Sequence, residues 1–276
     1  SLNNLPFLQL CVASIRKNSR HAHQIILHIN EGSDGTLEWA QEQKIDHTRS
    51  EHNIGVCYAL NAARSLARTD YIAYLNDDMY VCPDWDHHLL EEIRQVGHDY
   101  FFLSSTAIEP RDVGKSCALA PFNFGRSPAD FDEKELLEAC GSLQYDDWNG
   151  ASWPPNIVHR RIWDLVGGYS TEFFPGFYSD PDFSMKLWQA GVRIFKGIGA
   201  SRAYHFLEVS TNKLKRRAVK RANLLFTQKW GISARMFNRY YLRMGSSCTG
   251  PLAEPERTAG FTGRQLICDL KRRLFI

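Results

Sequence analysis

The octapeptide Tyr74-Leu-Asn-Asp-Asp-Met-Tyr-Val81 sets an amide and two adjacent carboxylates, Asn76, Asp77 and Asp78, at the end of a run, Tyr71 to Leu75, that reads as a buried strand. Desolvation disfavours an unpaired carboxylate beside an apolar core, so these acids call for a metal ion, a cationic group or hydrogen-bond donors. The plainer alternative is an Asx-turn that closes the strand. A second acidic pair, Asp180 and Asp182, lies in Tyr178-Ser-Asp-Pro-Asp-Phe183. Its local chemistry reads as a helix start, with Asp180 as N-cap, Pro181 at the first helical position, Asp182 facing the helix dipole and Gly191 as C-cap. Such capping leaves a carboxylate able to face a ligand from a fixed backbone. His205 follows a strand-like stretch near Ile198 to Tyr204, and a lone histidine there is either structural or a ligand.

The elements that must carry these residues follow from periodicity. Leu8, Cys11, Val12 and Ile15 repeat at helical spacing, Gln24 to Ile29 reads as a strand, and Asn30-Glu-Gly-Ser-Asp-Gly35 closes it. Helices are predicted from Thr36, over Val56 to Ala63 and over Trp85 to Val96, with strands at Tyr71 to Leu75 and Tyr100 to Ser104. This alternation makes the first half α/β with a mainly parallel sheet. Ligands in such sheets bind outside the carboxyl ends of the strands, where Asn30-Glu31 and Asn76-Asp77-Asp78 both fall. From Thr106 to Gly150 the pattern dissolves into Pro, Gly, Asp and aromatic residues around one short helix, Lys134 to Cys140, as binding loops and lids tend to do. Helices then follow at Arg160 to Val166, Pro181 to Ala190 and Lys213 to Trp230. The segment Gly245 to Gly263 is turn-rich and expected to be mobile, and Gln265 to Ile276 is a short basic and apolar helix.

Composition narrows the classes. With 276 residues the chain can bury a full core, and 33 Lys+Arg against 31 Asp+Glu give a net charge of +2, which does not suggest a nucleic-acid binder. The basic run Lys213, Lys215, Arg216, Arg217, Lys220 and Arg221 reads as a solvated helix face. Seven cysteines without a Cys-x-x-Cys pair point to neither a disulfide framework nor a zinc site, and fit a reducing cytoplasm. No apolar run approaches the ~20 residues needed to span a bilayer, so at most peripheral membrane contact is expected.

Six segments, in order, resemble the family 2 glycosyltransferases, inverting nucleotide-sugar enzymes of the GT-A fold. Leu2-Asn-Asn-Leu-Pro-Phe to Ile15 resembles the helix after that family's first strand, and Ile25-Ile-Leu-His-Ile-Asn-Glu-Gly-Ser-Asp-Gly-Thr36 its second strand and acidic loop. His52-Asn-Ile-Gly-Val to Val81 is similar to the N-x-G segment that leads into the D-x-D motif. Gly167-Gly-Tyr-Ser-Thr-Glu-Phe-Phe to Gly191 is similar to G-G-F-D-E-x-F-F followed by E-D-x-D-L-x-x-R. Tyr204-His-Phe-Leu-Glu-Val-Ser210 and Asn223 to Gly231 match the closing histidine motif and the K-W-G helix end.

The resemblance implies a GT-A domain over residues 1–231, with a nucleotide-sugar half at 1–105 and an acceptor and catalytic half at 106–231, then a helical extension at 232–276. It implies that Asn30 or Glu31 contacts the nucleobase, that Asn76 and Asp77 lie beside the donor, and that Asp78, with His205, holds Mg²⁺ or Mn²⁺. Asp180 matches the general base. Trp148, Asn149, Gly150 and Trp153 fall where the family binds acceptors, and Asp182 would orient the acceptor. The tryptophans are equally readable as packing, although aromatic faces suit sugar rings. Two departures stand out: the resemblance begins after the family's first strand, which is expected to be missing, and Ser179 and Lys186 stand where Glu and Arg are common.

The implied reaction is metal-dependent, inverting transfer of a hexosyl or deoxyhexosyl group from a UDP-, dTDP- or GDP-sugar to a glycan or lipid-linked acceptor, in bacterial surface-polysaccharide synthesis. The alternative is a catalytically inactive carbohydrate- or nucleotide-binding protein that keeps the fold. Motifs leave the sugar, the acceptor and the oligomeric state open.

Overall fold

The computed structural model describes residues 1–114, 117–207 and 213–274, the side chains of 213–215 excepted. The closing motif's Glu208, Val209 and Ser210, the Lys213 and Lys215 side chains, and Phe275 and Ile276 therefore lie outside the described residues.

Helices α1 (Leu5–Asn18), α2 (Thr36–Glu42), α3 (Gly55–Arg64) and α4 (Trp85–Val96) alternate with strands β1 (Ile26–Asn30), β2 (Asp46–Ser50), β3 (Tyr71–Tyr74), β4 (Met79–Val81) and β5 (Phe101–Ile108). Then come β6 (Ala118–Leu119), α5 (Glu133–Cys140), β7 (Trp148–Asn149), β8 (Asn156–His159), α6 (Arg160–Leu165), α7 (Ser179–Gln189), β9 (Ile194–His205) and α8 (Lys213–Trp230). A short helix α9 (Ala234–Met236) runs into a π-helical turn, Phe237–Tyr241, and the described chain ends in α10 (Ala259–Leu274).

The fold is the α/β class that the alternation predicts. The main sheet has the order β3-β8-β5-β9-β4, with β6 beside β5 and β7 beside β9. Strands β5 and β9 are parallel, while β8 runs against β3 and β5, and β4 against β9. Strands β1 and β2 form a separate parallel pair, and Leu2 bridges Asn30 in parallel on β1. Strand β5 is central, and Phe101, Phe102 and Leu103 are fully buried because both edges and both faces are covered. Helix α4 packs one stripe, Trp85, Leu89 and Ile93, at four-residue spacing, and Gly97 at φ 68° ends it by donating its N–H to the Ile93 carbonyl.

Several boundaries differ from the sequence reading. Strands β2, β4, β6, β7 and β8 were not expected, and β5 runs to Ile108, into the stretch predicted to be irregular. Helix α7 begins at Ser179, so its cap position is Tyr178, at φ 64°, and Asp180 is not the N-cap. Pro181 is tolerated there because a first-turn N–H has no intrahelical partner. The segment expected to be mobile is partly tied down: Leu252 is buried and its N–H donates to the Arg193 carbonyl, and Ser247 bridges Trp148. Helix α10 starts at Ala259 rather than Gln265, and Phe261 and Cys268 join the cluster that holds Phe183, Trp188 and Phe226.

Candidate active site

The strand ends and the α7 loop enclose one cleft of about 680 Å³. Its wall includes Asn76 after β3, Glu109 after β5, Trp148, Trp153, Asp180 and His205.

Asp180 lies half-buried in the first turn of α7, and Tyr169 Oη donates to its Oδ1 at 3.4 Å. Desolvation pushes its carboxyl up to about 7, against the pull of the Tyr169 hydroxyl in the other direction. Tyr169 itself stacks flat on Phe183, 4.6 Å between centroids, which fixes its hydroxyl. Burial, then the nearby Asp180 charge, raises both Tyr169 and Tyr74 well above the ordinary phenol range, so both stay protonated donors. Tyr74 Oη donates to Asn76 Oδ1 at 2.7 Å. A desolvated carboxyl titrating near neutrality, in a cleft, is the arrangement a general base needs.

The loop that carries Asp180 is locked onto α3. Val56 N–H donates to the Pro175 carbonyl at 2.9 Å, and Gly55, at φ 71°, lies so close to Pro175 that a Cβ would sit 2.8 Å from its carbonyl oxygen. The Asn53-Ile-Gly55 segment of the sequence thus joins the two halves of the cleft.

At the opposite wall, His205 Nε2 faces Asp78 Oδ2 at 3.4 Å, and its Nδ1 faces Glu109 Oε1 at 3.2 Å. Glu109 is fully buried and fixes the imidazole orientation, the part an outer carboxylate plays for a metal-binding histidine. Asp78 and His205 fit one hard divalent ion: two neighbouring ligands of an octahedral ion at about 2.1 Å each lie ~3 Å apart. Among the described residues no group of three or more His, Cys, Asp or Glu is arranged to hold a metal. An ion here would therefore draw most of its shell from ligand oxygens and water.

Most of the other predicted residues tie the frame of the cleft together, and of them only Trp148 also lines it. Asp77 Oδ1 accepts from Asn4 Nδ2 at 3.3 Å, and Asn30 Oδ1 accepts from the Ile54 N–H at 2.8 Å, so both tie loops together beside the cleft. Glu31, at φ 64°, accepts from Asn3 Nδ2 at 3.1 Å. Trp148 is almost wholly buried, lies against Gly197 and donates Nε1–H to Thr106 Oγ1 at 2.9 Å. Asn149 donates to the Ser247 carbonyl at 3.0 Å, and Gly150, at φ 96°, leaves no room for a Cβ against Met244. Both anchor the C-terminal segment rather than line the cleft.

Asp182 does not reach the cleft either. It is fully buried, accepts from Trp230 Nε1–H at 2.8 Å and pairs with Lys229 Nζ at 2.9 Å, which also meets Glu172. This corrects its reading as an acceptor-orienting residue: it cross-links α7 to α8. Glu109, Tyr169 and Tyr74 were missed as site residues. Glu109 had a readable signal, since it is an acid directly after an apolar strand, as Asp77 and Asp78 are.

The glycosyl transferase family 2 profile matches residues 1–147, more than half of the chain. The chain belongs to this family. Solved structures with the same GT-A fold include GalNAc-T7 with UDP, GalNAc and Mn²⁺, at 14% identity and TM-score 0.53, covering 82% of this chain and 48% of that one. They include S. aureus TarS 1-349 in complex with UDP-GlcNAc, at 14% identity and TM-score 0.56, covering 86% of this chain and 65% of that one. The longer S. aureus TarS structure matches at 13% identity and TM-score 0.55, covering 86% of this chain and 38% of that one. This chain thus spans about half of GalNAc-T7 and a smaller share of the longer TarS. No curated protein matches it. For this family 2 member no described helix is long and apolar enough to cross a membrane.

Proposed function

We propose that this family 2 protein is an inverting glycosyltransferase that moves a sugar from a nucleotide-sugar to a hydroxyl of a glycan or lipid-linked acceptor. The carrying observation is Asp180: a desolvated carboxyl, titrating near 7, in the same cleft as Asn76 and His205. Among UDP, dTDP and GDP donors, UDP is preferred, because GalNAc-T7 and TarS were each solved with UDP or a UDP-sugar. Bacterial surface-polysaccharide synthesis is the setting suggested by the sequence resemblance.

In this reading the donor diphosphate lies toward Asp78 and His205, and the acceptor enters beside Trp153 and Phe177. Asp180 takes the proton of the acceptor hydroxyl as its oxygen attacks the anomeric carbon from the face opposite the leaving diphosphate. Tyr169 holds the carboxylate in place, and Glu109 holds His205. Mg²⁺ or Mn²⁺, held by Asp78 and His205 when bound, would offset charge on the departing diphosphate.

Two measurements test this. Calorimetry with UDP-, dTDP- and GDP-sugars plus Mn²⁺, followed by a donor-hydrolysis assay, should give binding and turnover with UDP-sugars; binding with no turnover would favour the inactive binding protein. Asp78→Asn keeps shape and removes charge, so it should weaken Mn²⁺ and donor binding together. Unchanged Mn²⁺-dependent donor affinity would remove Asp78 from the metal site.

A further inference from the structure

A second concavity, of about 330 Å³, lies between α8, the π-helical turn and α10, outside the catalytic cleft. Four cations line it: Arg235, Arg239, Arg264 and Lys271. No acidic side chain of the described residues does so, and none of the four forms an ion pair among them. Arginines elsewhere in the protein are commonly matched, as Arg20 is by Asp84, Arg68 by Asp46 and Arg193 by Glu254. All four are solvent-exposed, so water screens their mutual repulsion, but together they make the hollow electropositive, and guanidinium forks suit phosphate oxygens in particular.

Helix α10 supplies a second observation. Its Leu266, Ile267, Leu270 and Leu274 are 53–78% exposed and fall at spacings of one, four and eight residues, a single apolar stripe. Ile267 also lines the cationic hollow, and Lys271, Arg272 and Arg273 close the helix. A helix with an exposed apolar stripe and a basic face suits the plane of an anionic membrane surface. Tyr178 lines the hollow and Phe177 lines the catalytic cleft, so one turn of chain before Asp180 separates the two cavities.

We infer that this hollow is a phosphate-binding subsite that takes the phosphate of a membrane-borne acceptor, with the α10 stripe resting on the lipid surface. The inference rests on the glycosyltransferase reading only in calling that phosphate the acceptor's.

The test uses the full chain in co-sedimentation with phosphatidylglycerol and with phosphatidylcholine vesicles at low salt. Wild type should bind the anionic vesicles, and millimolar inorganic pyrophosphate should compete. The double variant Arg239→Gln/Arg264→Gln should bind about tenfold more weakly or worse, as expected for two lost charge-assisted contacts. Lys44→Gln/Arg111→Gln, with the same charge change on other surfaces, should bind as wild type does; circular dichroism confirms that each variant folds. Equal losses in both double variants would overturn the site in favour of diffuse charge. A wild type that stays in the supernatant overturns the membrane source, even if pyrophosphate binds through Arg239 and Arg264. Donor hydrolysis by the wild type is measured separately, so failure of the glycosyltransferase reading would not be mistaken for failure of the phosphate site.

Discussion

In the proposed reaction Asp180 is the base because its surroundings withhold water while leaving it reachable from the cleft. Its carboxyl moves from the ordinary 3.8 to about 7 through desolvation, and the Tyr169 hydroxyl partly opposes that rise. Tyr169→Phe should therefore raise the Asp180 pKa further, moving the acidic limb of the turnover–pH profile to higher pH while donor affinity holds. An unmoved limb would separate Asp180 from the rate-limiting base. Between about pH 4 and 7 the folded state binds the proton that the unfolded chain has already released, so Asp180 opposes folding increasingly as pH rises through that window and fully above it. Asp182, two residues on, has the opposite character. Asp182→Ala removes the acceptor that Trp230 and Lys229 share; Lys229 keeps Glu172 and Ser170, so the loss is that of the buried Trp230 hydrogen bond and one arm of the ion pair, about 1–3 kcal/mol. Urea unfolding should show that loss, with donor affinity retained. Sequence spacing presents these two acids as near equals; only the side on which each meets α8 or the cleft tells them apart.

Helices whose apolar periodicity is strong were legible at their boundaries: α4 spans Trp85–Val96 and α8 Lys213–Trp230, both as read. The unread strands are short or polar. Strand β2 is Asp46-His-Thr-Arg-Ser50, and nothing in its composition asks for a sheet; its extended form comes from parallel pairing with β1. Strand β8 is four residues long and gains its place by filling the gap between β3 and β5. Likewise, Glu109 carried the same signal as the Asn-Asp-Asp segment, an acid after an apolar run, but its place was hidden because β5 outruns its predicted end and delivers it to His205. At this scale Gly197 of β9 is decisive. A Cβ there would sit 1.8 Å from the Trp148 ring, so Gly197→Ala must push Trp148 off the cleft wall and away from Thr106. Overpacking of this kind costs about 1–3 kcal/mol, which equilibrium denaturation would register; a neutral result would mean that Trp148 can pack elsewhere.

Across the whole molecule, the cleft is assembled from distant parts of the chain: Asn76 lies after β3, Trp148 on β7, Asp180 on α7 and His205 at the end of β9. A single apolar cluster runs from Cys57 of α3 through Phe183 and Phe226 to Cys268 of α10, so the helices after residue 231 share the core that holds α7 in place. Asp180 is thereby fixed relative to the Asp78–His205 wall by packing that spans most of the chain. The central claim, that this assembly works as an inverting transferase with Asp180 as its base, is tested most directly by comparing wild type and Asp180→Asn in UDP-sugar turnover, with donor affinity measured in parallel. The expected result is unchanged donor affinity with turnover lowered by roughly 10²–10⁴-fold. Turnover that survives in Asp180→Asn, while Asp182→Asn abolishes it, would contradict the assignment and the geometry on which it rests.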